Sequence, residues 1–391
     1  MKRIQDIATF MTDGDWIESD NQSKSGIRLI QTGNIGTGKY LNKEARAKFI
    51  SEETFENLKC TEIFPGDILV SRLPDPVGRA CILPEGLGRT ITAVDCTILR
   101  LNEDLCNRRY LVYYTQSPYY AVQVQGFLAG STRIRISRKN LEKIEIPLHD
   151  KAFQMHVIET FSSMDAAIEN RQRVLTLLDE LVKSRFVEMF GDPVLNPKKW
   201  ERHQLNDDII FLTSGSRGWS KYFSRDGEIF ITIKNVKNGR ITLDDVQYVH
   251  APDNAEAKRT KVQAGDLLIS ITADLGRTGV VSEALAKRGA YINQHLTCIR
   301  LNRNVINPEY TAMFMESAGG KCQFDAKNQV GVKAGLNFEA IKGLEIMVPP
   351  LSLQTQFSTF VHQVEATKNS VRTQLTALTT LRAKMMQEFF G

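Results

Sequence analysis

The sequence has few of the features that mark a secreted, membrane-spanning or metal-dependent protein. Its six cysteines include no CxxC pair and its six histidines are isolated from one another, so no disulfide framework, metal site or catalytic triad is predicted. No apolar run reaches the roughly 18 residues of a membrane span. The amino terminus, MKRIQDIATFMTDGDW, lacks the apolar centre of a signal peptide. We therefore predict a cytoplasmic protein with reduced thiols, no bound metal and no membrane contact.

Motifs for nucleotide or methyl-donor chemistry are also missing. Residues 33–39 match much of a phosphate-binding loop, but Tyr40 occupies the position where Ser or Thr would bind Mg²⁺, and Thr232 replaces the first glycine in the later copy. A hairpin turn is the better interpretation. Residues 196–199, NPKK, lack the second proline and the aromatic residue of an amino-methyltransferase motif, and no glycine-rich turn for S-adenosylmethionine occurs. We predict no catalytic residue and no cofactor in this chain.

Length and charge set only broad limits on the function. A chain of 391 residues is too long for one ordinary core and indicates at least two domains. The composition is globular, with 42% hydrophobic and 24% charged residues. The net charge of +5 is compatible with nucleic-acid binding but does not by itself predict it.

The strongest positive signal is a forty-residue stretch that occurs twice. Residues 152–191 align without a gap on residues 352–391, with Gln154 on Gln354. Both copies carry an apolar heptad, which predicts two long helices that pack against each other as an antiparallel coiled coil. The predicted seam consists of Phe161, Ile168, Leu175, Leu178 and Val182 in the first helix and Val361, Val364, Leu375, Leu378 and Met385 in the second.

The residues that precede each helix repeat in the same order. PGDILVS at 65–71 corresponds to AGDLLIS at 264–270, and IEI at 144–146 corresponds to LEI at 344–346. The predicted fold class is therefore α/β (α+β): two pseudo-repeated globular domains and two long helices. The connector after Gly191 occurs only once. The chain thus has circular pseudo-symmetry, like a ring of two units opened at one join, and its termini are expected to lie close together.

Local signals predict the elements within each repeat. Gly-Asp turns precede apolar strands, short glycine-containing segments are typical of hairpins, and apolar segments with helical spacing follow later in each half. The predicted strands are 68–70 and 267–271, the hairpin turns 34–38 and 237–239, and the helices 109–117 and 308–317.

Polar residues at corresponding loop and strand-end positions are candidate DNA contacts. The clearest cluster lies in residues 130–139, which contain four basic residues and no acid. Arginine suits phosphates and guanine edges, whereas amides and hydroxyls suit other base edges; each residue could instead be an ordinary solvated one. The candidates are Gln31, Asn34, Ser71, Arg72, Arg79, Ser131, Thr132, Arg133 and Arg135 in the first half and Lys234, Asn235, Ser270, Thr272, Arg277, Lys333 and Asn337 in the second.

The whole chain resembles the DNA-specificity subunit of type I restriction–modification systems. The resemblance is carried by PGDILVS and AGDLLIS, by IEIPL and LEIMVPPLSLQ, and by the junction VEMFGDPVLNPKKW. It implies two target-recognition domains, each of which reads one half of a bipartite site in double-stranded DNA. Carried over to this chain, the recognition domains are residues 1–150 and 192–351, and the spacer helices are residues 151–191 and 352–391.

The resemblance also implies the partners of the chain. Two methyltransferase subunits would dock on the helices, restriction and translocase subunits would join them, and these partners would use S-adenosylmethionine, ATP and Mg²⁺ to methylate adenine and cleave DNA. Two alternatives remain: a recognition module split from a fused restriction–methylation enzyme, and a coiled-coil scaffold that binds no DNA. The target bases do not follow from the sequence.

Overall fold

The computed structural model describes residues 1–130, 134–328 and 335–391. The chain forms two compact units: unit 1 comprises Met1–Arg173 and Arg372–Gly391, and unit 2 comprises Val174–Val371. Each unit therefore contains one globular domain, the first part of one long helix and the last part of the other. Both chain termini belong to unit 1.

Unit 1 is built on two four-stranded sheets. Its strands are β1 (Lys2–Arg3), β2 (Ala8–Asp13), β3 (Ile27–Ile30), β4 (Lys48–Ile50), β5 (Glu62–Ile63), β6 (Ile68–Ser71), β7 (Ala80–Ile82), β8 (Thr90–Thr92), β9 (Cys96–Leu101) and β10 (Glu145–Ile146). Its helices are α1 (Ile4–Ile7), α2 (Glu52–Leu58), α3 (Arg108–Tyr114), α4 (Pro118–Gly126), α5 (Arg138–Leu141) and the start of the long α6 (Lys151–Phe190). The sheets have the orders β2-β9-β6-β7 and β4-β3-β8-β5, and β1 pairs with β10.

Unit 2 repeats the first of these sheets and the two-stranded pair, but its second sheet has a different strand order. Its strands are β11 (Arg202–Gln204), β12 (Ile209–Ser214), β13 (Phe223–Ser224), β14 (Glu228–Ile231), β15 (Val236–Lys237), β16 (Arg240–Ile241), β17 (Gln247–Val249), β18 (Leu267–Ser270), β19 (Thr278–Val280), β20 (Ala290–Ile292), β21 (Leu296–Leu301) and β22 (Glu345–Met347). Its helices are α7 (Ala255–Thr260), α8 (Glu283–Arg288), α9 (Pro308–Glu316), α10 (Ala318–Lys327), α11 (Phe338–Lys342) and the start of the long α12 (Leu351–Phe390). The order β12-β21-β18-β19 and the β11–β22 pair match unit 1, so the predicted duplication is confirmed.

The repeated Gly-Asp turn has a structural cause in both units. The carboxylate of Asp67 accepts hydrogen bonds from Nε and Nη2 of Arg100, both at 2.8 Å. Asp266 is fully buried and accepts the same two bonds from Arg300, at 2.8 and 2.9 Å. Such paired, charge-assisted bonds fix the turn before β6 or β18 to the neighbouring strand. They also raise the pKa of Arg100 and of Arg300.

The repeated glutamine at the start of each long helix fixes that helix to its own domain. Gln154 is fully buried; its Oε1 accepts from the backbone N–H of Asn107 at 2.8 Å and its Nε2 donates to two carbonyl groups. Gln354 is equally buried and accepts from the N–H of Asn307 at 2.8 Å. Because a buried amide must find such partners, these glutamines explain why the alignment is strict at this position.

The two long helices pack antiparallel within each unit, which confirms the predicted helix pair. In unit 1, Nε of Arg382 lies 2.6 Å from a carboxylate oxygen of Asp165. In unit 2, Nζ of Lys368, which is 3% exposed, lies 2.5 Å from Asp179. The residue number rises along one helix as it falls along the other. All ten predicted seam residues are buried or half-buried.

Each long helix ends inside the core of the unit in which it did not begin. Phe190, the last residue of α6, packs in unit 2 against the rings of Tyr310 at 4.6 Å and Phe357 at 5.5 Å between centroids. Phe390, the last residue of α12, packs in unit 1 against Tyr110 at 5.4 Å and Tyr114 at 5.6 Å. Both phenylalanines are buried. Each unit therefore needs both helices to complete its core.

The six cysteines are all unpaired, and five of them are buried. No helix among the described residues is both long enough and apolar enough to cross a membrane. In the same part of the chain, no three or more His, Cys, Asp or Glu side chains are grouped as they would be to hold a metal ion.

Candidate nucleic-acid interface

In unit 1, the loops that carry the candidate residues meet at one edge of the sheet β2-β9-β6-β7. The ends of β2 and β6 and the start of β9 lie side by side there, since Asp13 pairs with Thr97 and Ser71 pairs with Cys96. The backbone N–H of Arg72 donates to a carbonyl of residue 95, and its own carbonyl accepts from residue 136. We call residues 13–16, 31–35, 72–79, 93–95 and 134–137 the loop edge of unit 1.

Arg79 holds two of these loops together. Its Nε donates to the carbonyl of Ile35 at 2.6 Å and its Nη2 to that of Thr32 at 2.8 Å, while Nη1 donates to Leu73 and Pro76 at 2.8 and 2.9 Å. The side chain is 8% exposed, and burial lowers its pKa. The guanidinium of this candidate DNA contact therefore donates hydrogen bonds to four backbone carbonyls. Its role in this structure is to order the loops.

Asn34 and Asn235 close the same turn in the two units. Oδ1 of Asn34 accepts from the N–H of Gln31 at 3.0 Å, and Oδ1 of Asn235 accepts from that of Thr232 at 2.9 Å. In both cases Nδ2 donates to a carbonyl seven residues later, at 3.1 and 3.2 Å. These asparagines fix the turn and leave Gln31 half-exposed and Lys234 exposed.

Ser71 and Ser270 are also engaged within their loops. Both are fully buried. Oγ of Ser71 donates to the carbonyl of Leu73 at 3.2 Å, and Oγ of Ser270 donates to that of Asp274 at 2.5 Å. Oγ of Ser270 also accepts from the N–H of Arg277 at 2.8 Å. Each serine therefore shapes the loop after its strand.

Unit 2 has an equivalent loop edge, formed by residues 214–217, 232–236, 271–277, 293–295 and 335–337. The N–H of Ile271 donates to the carbonyl of His295 at 3.0 Å, and its carbonyl accepts from Leu336 at 2.9 Å, as at Arg72 in unit 1. The side chains of Thr272 and His295 are joined by a hydrogen bond of 2.6 Å between Oγ1 and Nδ1. The backbone framework of the two edges is the same.

The remaining candidates differ in how accessible they are. Arg72 is half-buried, with Nη2 2.6 Å from the carbonyl of residue 94 and Nη1 3.4 Å from Asp13. Arg277 is half-exposed and forms an ion pair with the carboxylate three residues before it. Arg135 and Asn337 are exposed, although Oδ1 of Asn337 caps α11 by accepting an N–H at 2.8 Å. The candidates Ser131, Thr132, Arg133 and Lys333 lie outside the described residues.

Both halves of the chain match the same protein family. Residues 1–177 and residues 197–380 each match the type I restriction modification DNA specificity domain. The chain belongs to this family. The two matches cover both globular domains and most of both long helices, so the duplication seen in the sequence and in the sheets is a duplication of this domain.

Curated relatives of this specificity-domain chain have low sequence identity to it but align with most of its length. The EcoKI specificity subunit of Escherichia coli (strain K12) is 22% identical over 296 residues, which cover 72% of this chain and 63% of the relative. This chain thus spans a little under two thirds of that relative's length. The EcoBI specificity subunit of Escherichia coli is 20% identical over 384 residues, which cover 91% of this chain and 76% of the relative.

Solved structures show the same fold. A chain from a structure on complex assembly and conformational transition of the type I R-M system superposes with a TM-score of 0.62 at 16% identity and covers 100% of this chain and 97% of that chain. The S subunit of a type I restriction–modification system from M. genitalium has a TM-score of 0.56 at 12% identity, with coverage of 100% and 95%. The mixed α/β prediction with two long helices is confirmed.

Several residues of the two loop edges of this specificity-domain chain were not among the candidates from the sequence. Asp13 pairs with Arg72, and His295 pairs with Thr272, yet neither was a candidate. Trp16 and Arg217 are exposed in the segments that follow β2 and β12. These two residues occupy matched positions of the repeat, so an alignment of the halves pairs them, but it does not show that they are exposed.

Substituting Arg79 by Lys is expected to loosen the loop edge of unit 1 while keeping the charge. A lysine cannot replace a fork that reaches four carbonyls, and a lost hydrogen bond to a charged group costs roughly 1.5–3 kcal/mol. Hydrogen exchange should accelerate in residues 31–35 and 72–79 and stay slow in β9. The matched control is Arg135→Lys at an exposed position of the same edge. Unchanged exchange in Arg79→Lys would contradict the ordering role.

Proposed function

We propose that this chain is a DNA-binding specificity subunit in which the loop edge of each unit reads one part of a bipartite target. The observation that carries the proposal is a shared framework with different side chains. Arg72 of unit 1 and Ile271 of unit 2 make the same two backbone hydrogen bonds, and residue 95 is aspartate where residue 295 is histidine. Two edges of equal shape and unequal chemistry suit two different base sequences.

The accessible side chains have the chemistry that duplex DNA requires. In unit 1, Gln31 and Arg135 are available, next to the run that contains Ser131, Thr132 and Arg133. In unit 2, the corresponding contacts are assigned to Lys234, Thr272, Arg277, Lys333 and Asn337. Arginine and lysine suit phosphates and guanine, and amide groups suit adenine. We assign Asn34, Ser71, Arg79, Asn235 and Ser270 to loop positioning, because their polar atoms are already engaged.

The partners in this proposal are two methyltransferase subunits, with restriction and translocase subunits in the full complex. The outer face of α6 supports a protein partner: Val174, Leu177 and Leu181 follow helical spacing in unit 2 and are 40%, 50% and 46% exposed. An apolar stripe of this kind is typical of a protein contact. The chain itself would act without catalysis in the cytoplasm, and S-adenosylmethionine, ATP and Mg²⁺ would belong to its partners.

Selection of bound duplexes from a random library tests the proposal. The chain, alone and with its methyltransferase subunits, should enrich two short half-sites separated by a fixed non-specific spacer. Arg135→Ala should weaken the first half-site only, and Arg277→Ala the second only, each by roughly tenfold, because one base or phosphate contact contributes about 1–3 kcal/mol. Enrichment of one continuous site, or of no sequence by either preparation, would contradict the proposal.

A further inference from the structure

Two exposed residues outside the candidate set occupy the same place in the two loop edges. We infer that Trp16 and Arg217 determine specificity, each by contacting a base in the half-site of its own unit. The inference rests on the proposed function and makes it more specific, since it assigns one apolar reader to unit 1 and one cationic reader to unit 2.

The equivalence of the two positions follows from the backbone. Asp15 forms a parallel bridge with Ala93, and Ser216 forms a parallel bridge with Asn293. Before each bridge, a glycine N–H donates to the first part of β9 or β21, from residue 14 to residue 96 at 2.9 Å and from residue 215 to residue 296 at 3.1 Å. Trp16 and Arg217 are the next residues in the chain. The same framework therefore presents an indole in one unit and a guanidinium in the other.

Trp16 is unusually open for an aromatic side chain. Its exposed fraction is 70%, compared with 3% for Trp219, although tryptophan is highly buried on average. The backbone immediately before it is fixed, because the N–H of Asp15 donates to the carbonyl of residue 92 and the carbonyl of Asp15 accepts from the N–H of residue 94, both at 2.9 Å. The indole Nε1 donates to Glu18 at 3.0 Å, which orients the ring. An ordered apolar surface of this size is suited to a ligand that covers it.

The chemistry around Trp16 favours a base over a phosphate. Asp13, whose carboxylate is shared between Arg72 at 3.4 Å and the hydroxyl of Thr97 at 2.9 Å, lies three residues away. Glu18 and Asp20 are exposed close by. These acids repel the DNA backbone, whereas an indole can pack on a thymine methyl group or on the face of a base. Trp16 is therefore assigned to a base edge within the groove.

The guanidinium of Arg217 is accessible as well. It is exposed and makes no hydrogen bond or ion pair with any other residue that the structure describes. Its neighbours are held on both sides: Oγ of Ser216 accepts from Nη2 of Arg259 at 3.0 Å, and Trp219 stacks on Phe230 with ring centroids 5.3 Å apart. An unpaired guanidinium on a fixed loop is ready to bind both acceptors of a guanine.

Library selection with single substitutions in the full chain, bound to its methyltransferase subunits, tests the inference. Trp16→Ala should lose preference for one base position of the first half-site, with a 10- to 100-fold loss of affinity for the preferred site, and should leave the second half-site unchanged. Arg217→Ala should do the reverse. Arg217→Lys should lose base preference while it keeps the salt dependence of binding, because lysine retains the charge but not the paired geometry.

The controls come from the same units. Phe64→Ala removes a 50% exposed aromatic residue located before the start of β6, away from the loop edge, and Arg225→Ala removes an exposed arginine near β13. Neither should change base preference. For Trp16, acrylamide should quench the fluorescence of the wild-type chain more than that of Trp16→Phe. This difference in quenching should become smaller when target DNA is bound.

Every other outcome contradicts either the inference or the proposed function. If the wild-type chain selects a bipartite site and the Trp16 and Arg217 variants select the same site, the inference fails and the proposed function stands. If the wild-type chain selects no site, the proposed function itself fails. Uniform weakening on all sequences would make Arg217 a phosphate contact, and loss of methyltransferase binding with intact base preference would make Trp16 a protein contact; either result overturns the inference for that residue.

Discussion

A chain with one heptad inserted in each long helix is expected to select the same two half-sites with a spacer longer by about 1–3 bp. The insertions belong between Arg173 and Val174 and between Thr373 and Gln374, which the pairs 165–382 and 179–368 put in register. Each helix begins in one unit and ends in the other, and each insertion lies at, or within two residues of, the point where its helix passes from one unit to the other. Seven residues add about 10 Å of helix, which corresponds to at most about 3 bp at 3.4 Å per base pair.

The spacer is expected to lengthen by less than the added length of helix would allow, because each added base pair also rotates its half-site by about 34° around the duplex. Affinity for the original target should fall to that of a single half-site. Library selection measures both effects. The matched control inserts five residues at the same two positions, which turns the apolar stripe by about 140° and should disrupt the helix pair. An unchanged spacer with intact binding of the heptad variant would show that the helices do not set the distance.

The architecture was predictable because it depends on signals that repeat in the sequence. The heptads, the Gly-Asp turns and the order of the flanking motifs all occur twice. The hairpin at 237–239 is confirmed as the turn between β15 and β16, in which Asn238 and Gly239 both have positive φ angles of 54° and 75°. Two central residues of positive φ define the tight hairpin turn that twists with its strands. Each such signal is local and therefore readable without coordinates.

Element ends were less predictable than element types. The predicted helix 109–117 ends at Tyr114 instead, because Ser117 caps a new helix by accepting an N–H and Pro118 occupies its first turn. The predicted strand 267–271 ends at Ser270, where the chain turns into the loop edge. Both differences arise where a cap or a turn competes with continuation of an element.

Side-chain roles at the loop edge were the least predictable part. A sequence shows that Arg79 and Arg135 are both basic, but only the fold shows that Arg79 is 8% exposed and bound to four carbonyls whereas Arg135 is exposed. Trp16 was missed because an aromatic residue after a strand is ordinarily buried in the core, whereas this one is exposed. Accessibility depends on long-range packing, and no local pattern encodes it.

Substituting Phe390 by Ala is expected to destabilise unit 1, which contains the amino-terminal domain, rather than only the end of the chain. The ring is 4% exposed and packs against Tyr110, Tyr114 and Phe161 with centroid distances of 5.4, 5.6 and 6.3 Å. Removal of a buried phenylalanine costs about 3–5 kcal/mol, a large share of the roughly 5–15 kcal/mol that stabilises a domain. Hydrogen exchange should therefore accelerate in β6 and β9 and remain slow in β18 and β21.

The internal repeat supplies the reciprocal experiment. Phe190→Ala should accelerate exchange in β18 and β21 and spare β6 and β9, because Phe190 completes the core of unit 2. Leu381→Ala is the control on α12, since Leu381 is 46% exposed and an exposed substitution changes stability by about 0.5 kcal/mol or less. If Phe390→Ala affected only the last turns of α12, unit 1 would be stable without that helix. Opposite exchange patterns in the two phenylalanine variants would instead establish that each helix stabilises the domain at its far end.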